Sequence, residues 1–297
     1  YQADYFEGPF LRDDLAAITL QALATDKKGG ETYLLKSLID TGAVDATKAK
    51  NLTEKIENYR ALTRATDAVD SVSQDTNSLT QARGTVQYAG DTMDVSFDSS
   101  TREKIVLRNG KVQLSSETKI TQNGETTESG TWIKDGWLYL YTKDGGVTAK
   151  NKVAVDDSMT DADLAEVESN QVDKVGLSAI KSISVVKDGL TSYYSVDVDA
   201  SAAAFLSGIL ENYVDEDDKD LTSIEVSDIK VTYTVNGQGV LGAMTTSFRL
   251  KIVYASGEFQ GDPMVMDMKY TVATNILATG NAVSITFPDF SDYVILN

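Results

Sequence analysis

From residue 71 onward the chain alternates apolar and polar residues, and turn dipeptides interrupt that alternation at short intervals. Asn109-Gly110, Asn123-Gly124, Asp135-Gly136, Asp144-Gly145, Asp188-Gly189 and Asn236-Gly237 all pair residues that accept positive φ at low cost. Such pairs favour two-residue hairpin loops. Between them run Met93/Val95/Phe97, Val112/Leu114, Tyr194/Val196/Val198 and Ile229/Val231/Tyr233/Val235. Then come Met244/Phe248/Leu250/Ile252/Tyr254, Met264/Met266/Met268/Tyr270/Val272 and Val283/Ile285/Phe287. The pattern predicts one antiparallel meander of about ten strands, starting between residues 70 and 90 and ending near Phe287.

Such a sheet, apolar on one face, needs a cover. The first 70 residues supply helical patterns: DDLAAITLQALA and ETYLLKSLI, separated by DKKGG, and then a long run from Ala46. In that run Leu52, Ile56, Tyr59, Leu62, Thr66 and Val69 recur at three- and four-residue steps, one stripe of an amphipathic helix. Two further helices are expected inside the β region. SMTDADLAEVESNQ (158–171) starts with a capping-box-like Thr160-x-x-Asp163. The stretch from the Asp199 cap to residue 214 puts Leu206, Ile209, Leu210 and Tyr213 on one face. The fold class is therefore α+β: a long, curved antiparallel half-barrel wrapped around amphipathic helices, preceded by a helical segment.

One strand poses a harder question. In GWLYLYTKDGG, Trp137, Tyr139 and Tyr141 share one face while Leu138 and Leu140 share the other. An exposed antiparallel strand is polar on one side, so both sides here require cover. The N-terminal helices are the expected second cover. Packing is the plain reading of Trp132, Trp137, Tyr139 and Tyr141, and carbohydrate stacking is the functional one.

Chemistry is constrained by what is missing. The chain has no histidine and no cysteine, which removes the commonest general base near neutral pH, the commonest metal ligand and every thiol nucleophile. A formal charge of −18 opposes nucleic acid and anionic membrane surfaces as electrostatic partners. GQGVLG at 237–242 matches a dinucleotide fingerprint, but the next residues alternate like a strand where that motif needs a helix. Ser178-Ala-Ile-Lys181 lacks the K-T-G companion of serine acyl enzymes. The acidic run VDEDDKD at 214–220 lacks EF-hand spacing. No catalytic residue, metal ligand or cofactor is assigned, and the chain reads as a non-enzyme.

The ladder Met264/Met266/Met268 is the more informative oddity. Methionine is flexible and moulds to irregular apolar shapes. With Met244 and Phe248 on the neighbouring strand and Leu206, Ile209, Leu210 and Tyr213 on the helix above, it outlines an expected site. That site is apolar and metal-free, between helix 200–214 and strands 244–254 and 264–272.

The order of these elements, with KDGWLYLYTKDGG, the strand–helix unit at 182–214 and the terminal ITFPDFSDY, resembles Gram-positive cell-surface lipoproteins with a LolA-like or LppX-like half-barrel. The resemblance covers residues 46–297 and leaves 1–45 as an N-terminal helical extension. It implies a signal peptide and lipid-modified cysteine upstream of Tyr1, tethering the protein at the extracellular face of the cytoplasmic membrane. It also implies a lipid or other apolar ligand held between sheet and helices. The alternative is a structural or protein-interaction module of the envelope, with no small-molecule ligand.

Overall fold

Helix α1 (Arg12–Ala24), α2 (Leu34–Asp40) and α3 (Ala46–Asp70) fall where the apolar periodicity places them. A computed structural model describes residues 12–28, 32–70, 73–108, 111–155, 175–199, 221–254 and 263–296. The expected helices at 158–171 and 200–214, the acidic run and hence Leu206, Ile209, Leu210 and Tyr213 lie outside the described residues.

The stripe on α3 turns out to serve two cores. Leu62, Ala65 and Val69 are buried against the sheet. Ala49 and Ile56 are buried with Ala24, Tyr33 and Leu35 of the N-terminal segment and with Leu177. Tyr59 touches both clusters. The helix leaves the sheet part-way along, and α1 and α2 cover the part that projects. Arg60 fastens them: its guanidinium donates to the Ala24 carbonyl at 2.7 Å and to the Asp26 carboxylate at 2.6 Å.

The sheet strands are β1 (Gln74–Tyr88), β2 (Asp91–Arg108), β3 (Lys111–Gln122), β4 (Glu125–Lys134), β5 (Trp137–Asp144) and β6 (Val147–Ala154). They continue as β7 (Ile180–Asp188), β8 (Thr191–Val198), β9 (Leu221–Val235), β10 (Leu241–Tyr254), β11 (Met264–Thr279) and β12 (Val294–Ile295). Their order is β12-β6-β5-β4-β3-β2-β1-β11-β10-β9-β8-β7, one curved sheet that does not close. Two meanders, β1–β6 and β7–β11, meet where β1 pairs with β11. All pairings are antiparallel except β12 on β6.

The turn chemistry operates as expected at four of the six dipeptides, two of them with a shift of one residue; Asn109-Gly110 lies outside the described residues, and beyond Asn236-Gly237 the positive φ falls on Gly239. Asn123-Gly124 and Asp135-Gly136 both adopt positive φ at both positions, the mirror-image turn that suits strand twist. The β5–β6 turn is centred on Gly145-Gly146 and the β7–β8 turn on Gly189-Leu190, one residue later than the dipeptides suggest. Ala89-Gly90 makes a further turn that composition did not mark. The first four residues of GQGVLG, 237–240, form a hairpin loop, with the Asn236 side chain accepting from the N–H groups of Gln238 and Val240, and Leu241 and Gly242 begin β10.

The expected last strand, Val283/Ile285/Phe287, does not form. Both edges of β11 are occupied, by β1 and β10, so the chain after Thr279 has no free edge beside it. It crosses one face of the sheet and pairs only at Val294–Ile295, on β6. Among the described residues the sheet has eleven antiparallel strands and one short parallel strand, in keeping with the expected count of about ten.

Candidate functional site

The registers of β2, β1, β11, β10 and β9 place side chains in rows across the face that α3 covers. One row is Phe97–Ala82–Tyr270–Phe248. The next is Val95–Gly84–Met268–Leu250–Val226, and the outermost is Met93–Val86–Met266–Ile252–Ile224. Because strand side chains alternate, every member of these rows points to the same side.

Burial is graded along this direction. Ala82, Tyr270 and Phe248 are buried, and the Phe248 and Tyr270 rings stack with centroids 5.0 Å apart and planes 3° apart. Met268 and Leu250 are buried, with Met268 lying over the bare backbone of Gly84. In the outermost row Ile252 is buried, Val86, Met266 and Ile224 are half-buried, and Met93 is 56% exposed. Met264 and Tyr254, opposite each other at the strand ends, are also half-buried.

Five residues of the expected site are thus on one face: Met244, Phe248, Met264, Met266 and Met268. They are not equivalent. Phe248 and Met268 belong to the packed core, Met244 and Met266 flank it, and Met264 sits at the strand end. Beneath α3 itself the space is filled. Tyr59, Leu62, Thr66, Val175, Ile180 and Tyr233 leave a cavity of about 10 Å³, room for one water at most.

A polar seam crosses the same face. Ser78 bonds Thr274 at 3.0 Å and Thr101 bonds Thr118 at 2.9 Å. The seam separates the methionine rows from a smaller cluster of Leu114 and Ile133 with Ile105, Leu138 and Val155.

The opposite face answers the question raised by GWLYLYTKDGG. Trp132 pairs across to Tyr139, and the C-terminal arm lies on both. Phe290 stacks on Tyr139 at 3.7 Å and tilts against Trp132 at 5.8 Å, while Tyr293 meets both rings edge-on. Lys150 ties the arm down through Asp292 at 2.6 Å, and that partnership raises the lysine pKa. The second cover is therefore the C-terminal arm and not the N-terminal helices. Of the aromatics proposed for carbohydrate, Trp132 is buried and Tyr139 is occupied by Phe290, whereas Trp137 has the Lys152 ammonium 5.4 Å from its ring centre.

This arm makes a first prediction. In a Trp137→Phe background, Phe290→Ala is expected to red-shift the remaining tryptophan emission, because water then reaches Trp132. It should cost about 1–3 kcal/mol, the range for a largely buried ring with its stacking partner. Fluorescence-detected urea unfolding measures both; an unchanged emission maximum would mean that the arm does not shield Trp132.

Among the described residues no group of three or more acidic side chains is placed to hold a metal ion. No described helix is long and apolar enough to cross a membrane.

No protein-family model matches the chain, and no curated protein sequence matches it. Solved structures with a similar form include LprF from Mycobacterium bovis, at 14% identity and TM-score 0.35, covering 79% of this chain and 97% of that one. A DUF1329 family protein from Desulfovibrio piger has 12% identity and TM-score 0.22, covering 80% and 96%. A putative outer membrane lipoprotein-sorting protein domain from Vibrio parahaemolyticus has 8% identity and TM-score 0.16, covering 72% and 87%. These likenesses are loose and concern form alone.

Proposed function

We propose that this chain is a non-enzymatic, extracytoplasmic binding protein, tethered by a lipid anchor upstream of Tyr1, that holds a lipid or other apolar ligand on the inner face of its half-barrel. The single observation behind this reading is the graded exposure of the inner rows. Buried Phe248 and Met268 give way to half-buried Met264, Met266 and Val86 and then to exposed Met93. Soft, apolar side chains at the margin of a core offer adaptable surface.

The chain enters β9 at this same end of the sheet, where Leu221 pairs with Tyr254 opposite Met264, and residues 200–220 precede that entry. Their Leu206, Ile209, Leu210 and Tyr213 complete the proposed apolar lining. No charged anchor is required. Each methylene removed from water contributes about 0.8 kcal/mol, and micromolar affinity corresponds to about 8 kcal/mol. An acyl chain therefore has to bury more than about ten methylenes, because association and ordering of the chain also cost free energy.

The test is a titration of delipidated protein with the uncharged dye N-phenyl-1-naphthylamine. Wild type is expected to give saturable fluorescence enhancement. Met266→Trp, which fills the marginal row, is expected to lose it while keeping its circular dichroism spectrum. Absence of saturable binding to wild type would favour the structural-module reading, for which the filled space under α3 speaks.

A further inference from the structure

A twelve-stranded open sheet has two edges. One is blunted by the chain itself, where β12 pairs with β6 and the Leu296 N–H donates to the Lys152 carbonyl. The other is β7, which has no further strand beside it among the described residues. Its Lys181, Ser182, Ser184, Val186, Lys187 and Asp188 are exposed, so the edge is open to solvent.

Alongside this edge runs the N-terminal half of α3. Asn51, Leu52, Lys55 and Asn58 face residues 181–185 across a groove of about 730 Å³. That is a typical volume for a binding site. Leu52, Ile183 and Val185 supply apolar surface, and the asparagines, serines, Glu54 and two lysines supply polar surface.

The hairpin fixes which backbone groups the groove receives. The loop Gly189–Leu190 makes Asp188 and Thr191 the closing pair. In a two-residue hairpin that pair is hydrogen-bonded and bonded pairs alternate along the ladder. Asp188, Val186, Ser184 and Ser182 therefore bond to β8. Ile183, Val185 and Lys187 turn their N–H and C=O groups outward, toward the free edge.

At the head of the groove stands Lys55. Its ammonium donates to the Ile180 carbonyl at 2.5 Å and has no carboxylate partner among the described residues. Burial lowers its pKa, a sign that the charge is poorly compensated. Lys181, by contrast, already lies 3.6 Å from the Asp199 carboxylate, and Glu54 lies 3.9 Å from Lys50.

We propose that this groove takes an extended peptide segment of another protein, added to β7 as a further strand with a carboxylate seated on Lys55. Strand addition at a free edge draws affinity from main-chain hydrogen bonds and specificity from alternate side chains. Charge decides among occupants. Two copies of β7 paired antiparallel about Ser184 would set lysine against lysine at both ends, Lys181 facing Lys187, which disfavours self-association. A polyacidic partner would be repelled by the net charge of −18. A segment with one or two carboxylates on an alternating apolar strand fits.

The experiment is selection from a phage-displayed random heptapeptide library on wild-type protein, followed by fluorescence anisotropy with the enriched peptides made synthetically. Enriched sequences are expected to alternate apolar residues and to carry a carboxylate. Binding should weaken at least tenfold in Lys55→Gln, and also in Val185→Pro, which removes an outward N–H while a proline remains tolerable on an edge strand. Met266→Trp should bind the peptides as wild type does, because the groove is separate from the inner face. Failure to enrich peptides over a protein-free control overturns the proposal. So does enrichment of peptides that bind Lys55→Gln as tightly as wild type.

Discussion

Gly84→Val is expected to destabilise the protein by more than about 4 kcal/mol, a loss reserved for a few mechanisms, of which a forced backbone clash in a packed interior is one. A β-carbon at this position would lie 2.0 Å from the Asp267 carbonyl and 2.8 Å from the Met268 sulfur. The carbonyl belongs to the backbone of β11 and has no rotamer to escape into. The position also matters topologically, since β1–β11 is the pairing that joins the two meanders. Splaying it exposes the buried row of Met268 and Leu250. Gly242→Ala is the matched control: its new β-carbon would meet the Thr234 carbonyl at 3.7 Å, an ordinary contact. Urea unfolding of the two variants should differ by several kcal/mol; near-equal midpoints would show that β1 and β11 separate easily at Gly84.

The second large effect is expected at Phe248. Its ring is 1% exposed and stacks on Tyr270, and it belongs to the same buried cluster as Leu62, Ala65 and Val69 of α3. Phe248→Ala removes most of a buried aromatic side chain and should cost about 3–5 kcal/mol, combining lost transfer energy with the cavity left behind. The size of the loss also reports on function. A packed interior cannot collapse fully around the gap. A loss below about 1 kcal/mol would mean that Phe248 already borders empty space, and the ligand-holding region would then reach deeper than the marginal row of Met266. Chemical unfolding monitored by circular dichroism separates the two outcomes.

Much of the architecture was legible because its causes are local. Asn123-Gly124 and Asp135-Gly136 sit at their turns because only residues tolerant of positive φ close a two-residue hairpin without strain. Strict alternation assigned Met264, Met266 and Met268 to one face with Met244 and Phe248, and the register confirms a shared side. The stripe from Leu52 to Val69 gave the long helix α3. Where the local code was ambiguous, the reading slipped by a residue: Asp144-Gly145-Gly146 offers two adjacent pairs, and the turn uses the second.

The candidate site was only half legible. The sequence placed Phe248 and Met268 beside Met264 and Met266 as if all four lined one space. Burial separates them, because α3 runs over β7, β9 and β10 and leaves the outermost row at the margin. Nothing in the methionine spacing encodes how far a helix reaches along a sheet. The groove beside Lys55 was invisible for a similar reason, since Lys55 and Ile180 are 125 residues apart in the chain.

By itself, then, the sequence determined most of the described elements, most of their turns and the sidedness of the strands that form. These depend on φ preferences and on side-chain periods of 2.0 and 3.6, all set within a few residues. Only the tertiary structure decided that the first strand pairs with β11, that α3 divides its apolar stripe between two cores, and that the last segment covers the aromatic face. Val283, Ile285 and Phe287 alternate as well as any strand in the chain. They form none because a strand needs a free edge, and β1 and β10 had already taken both edges of β11.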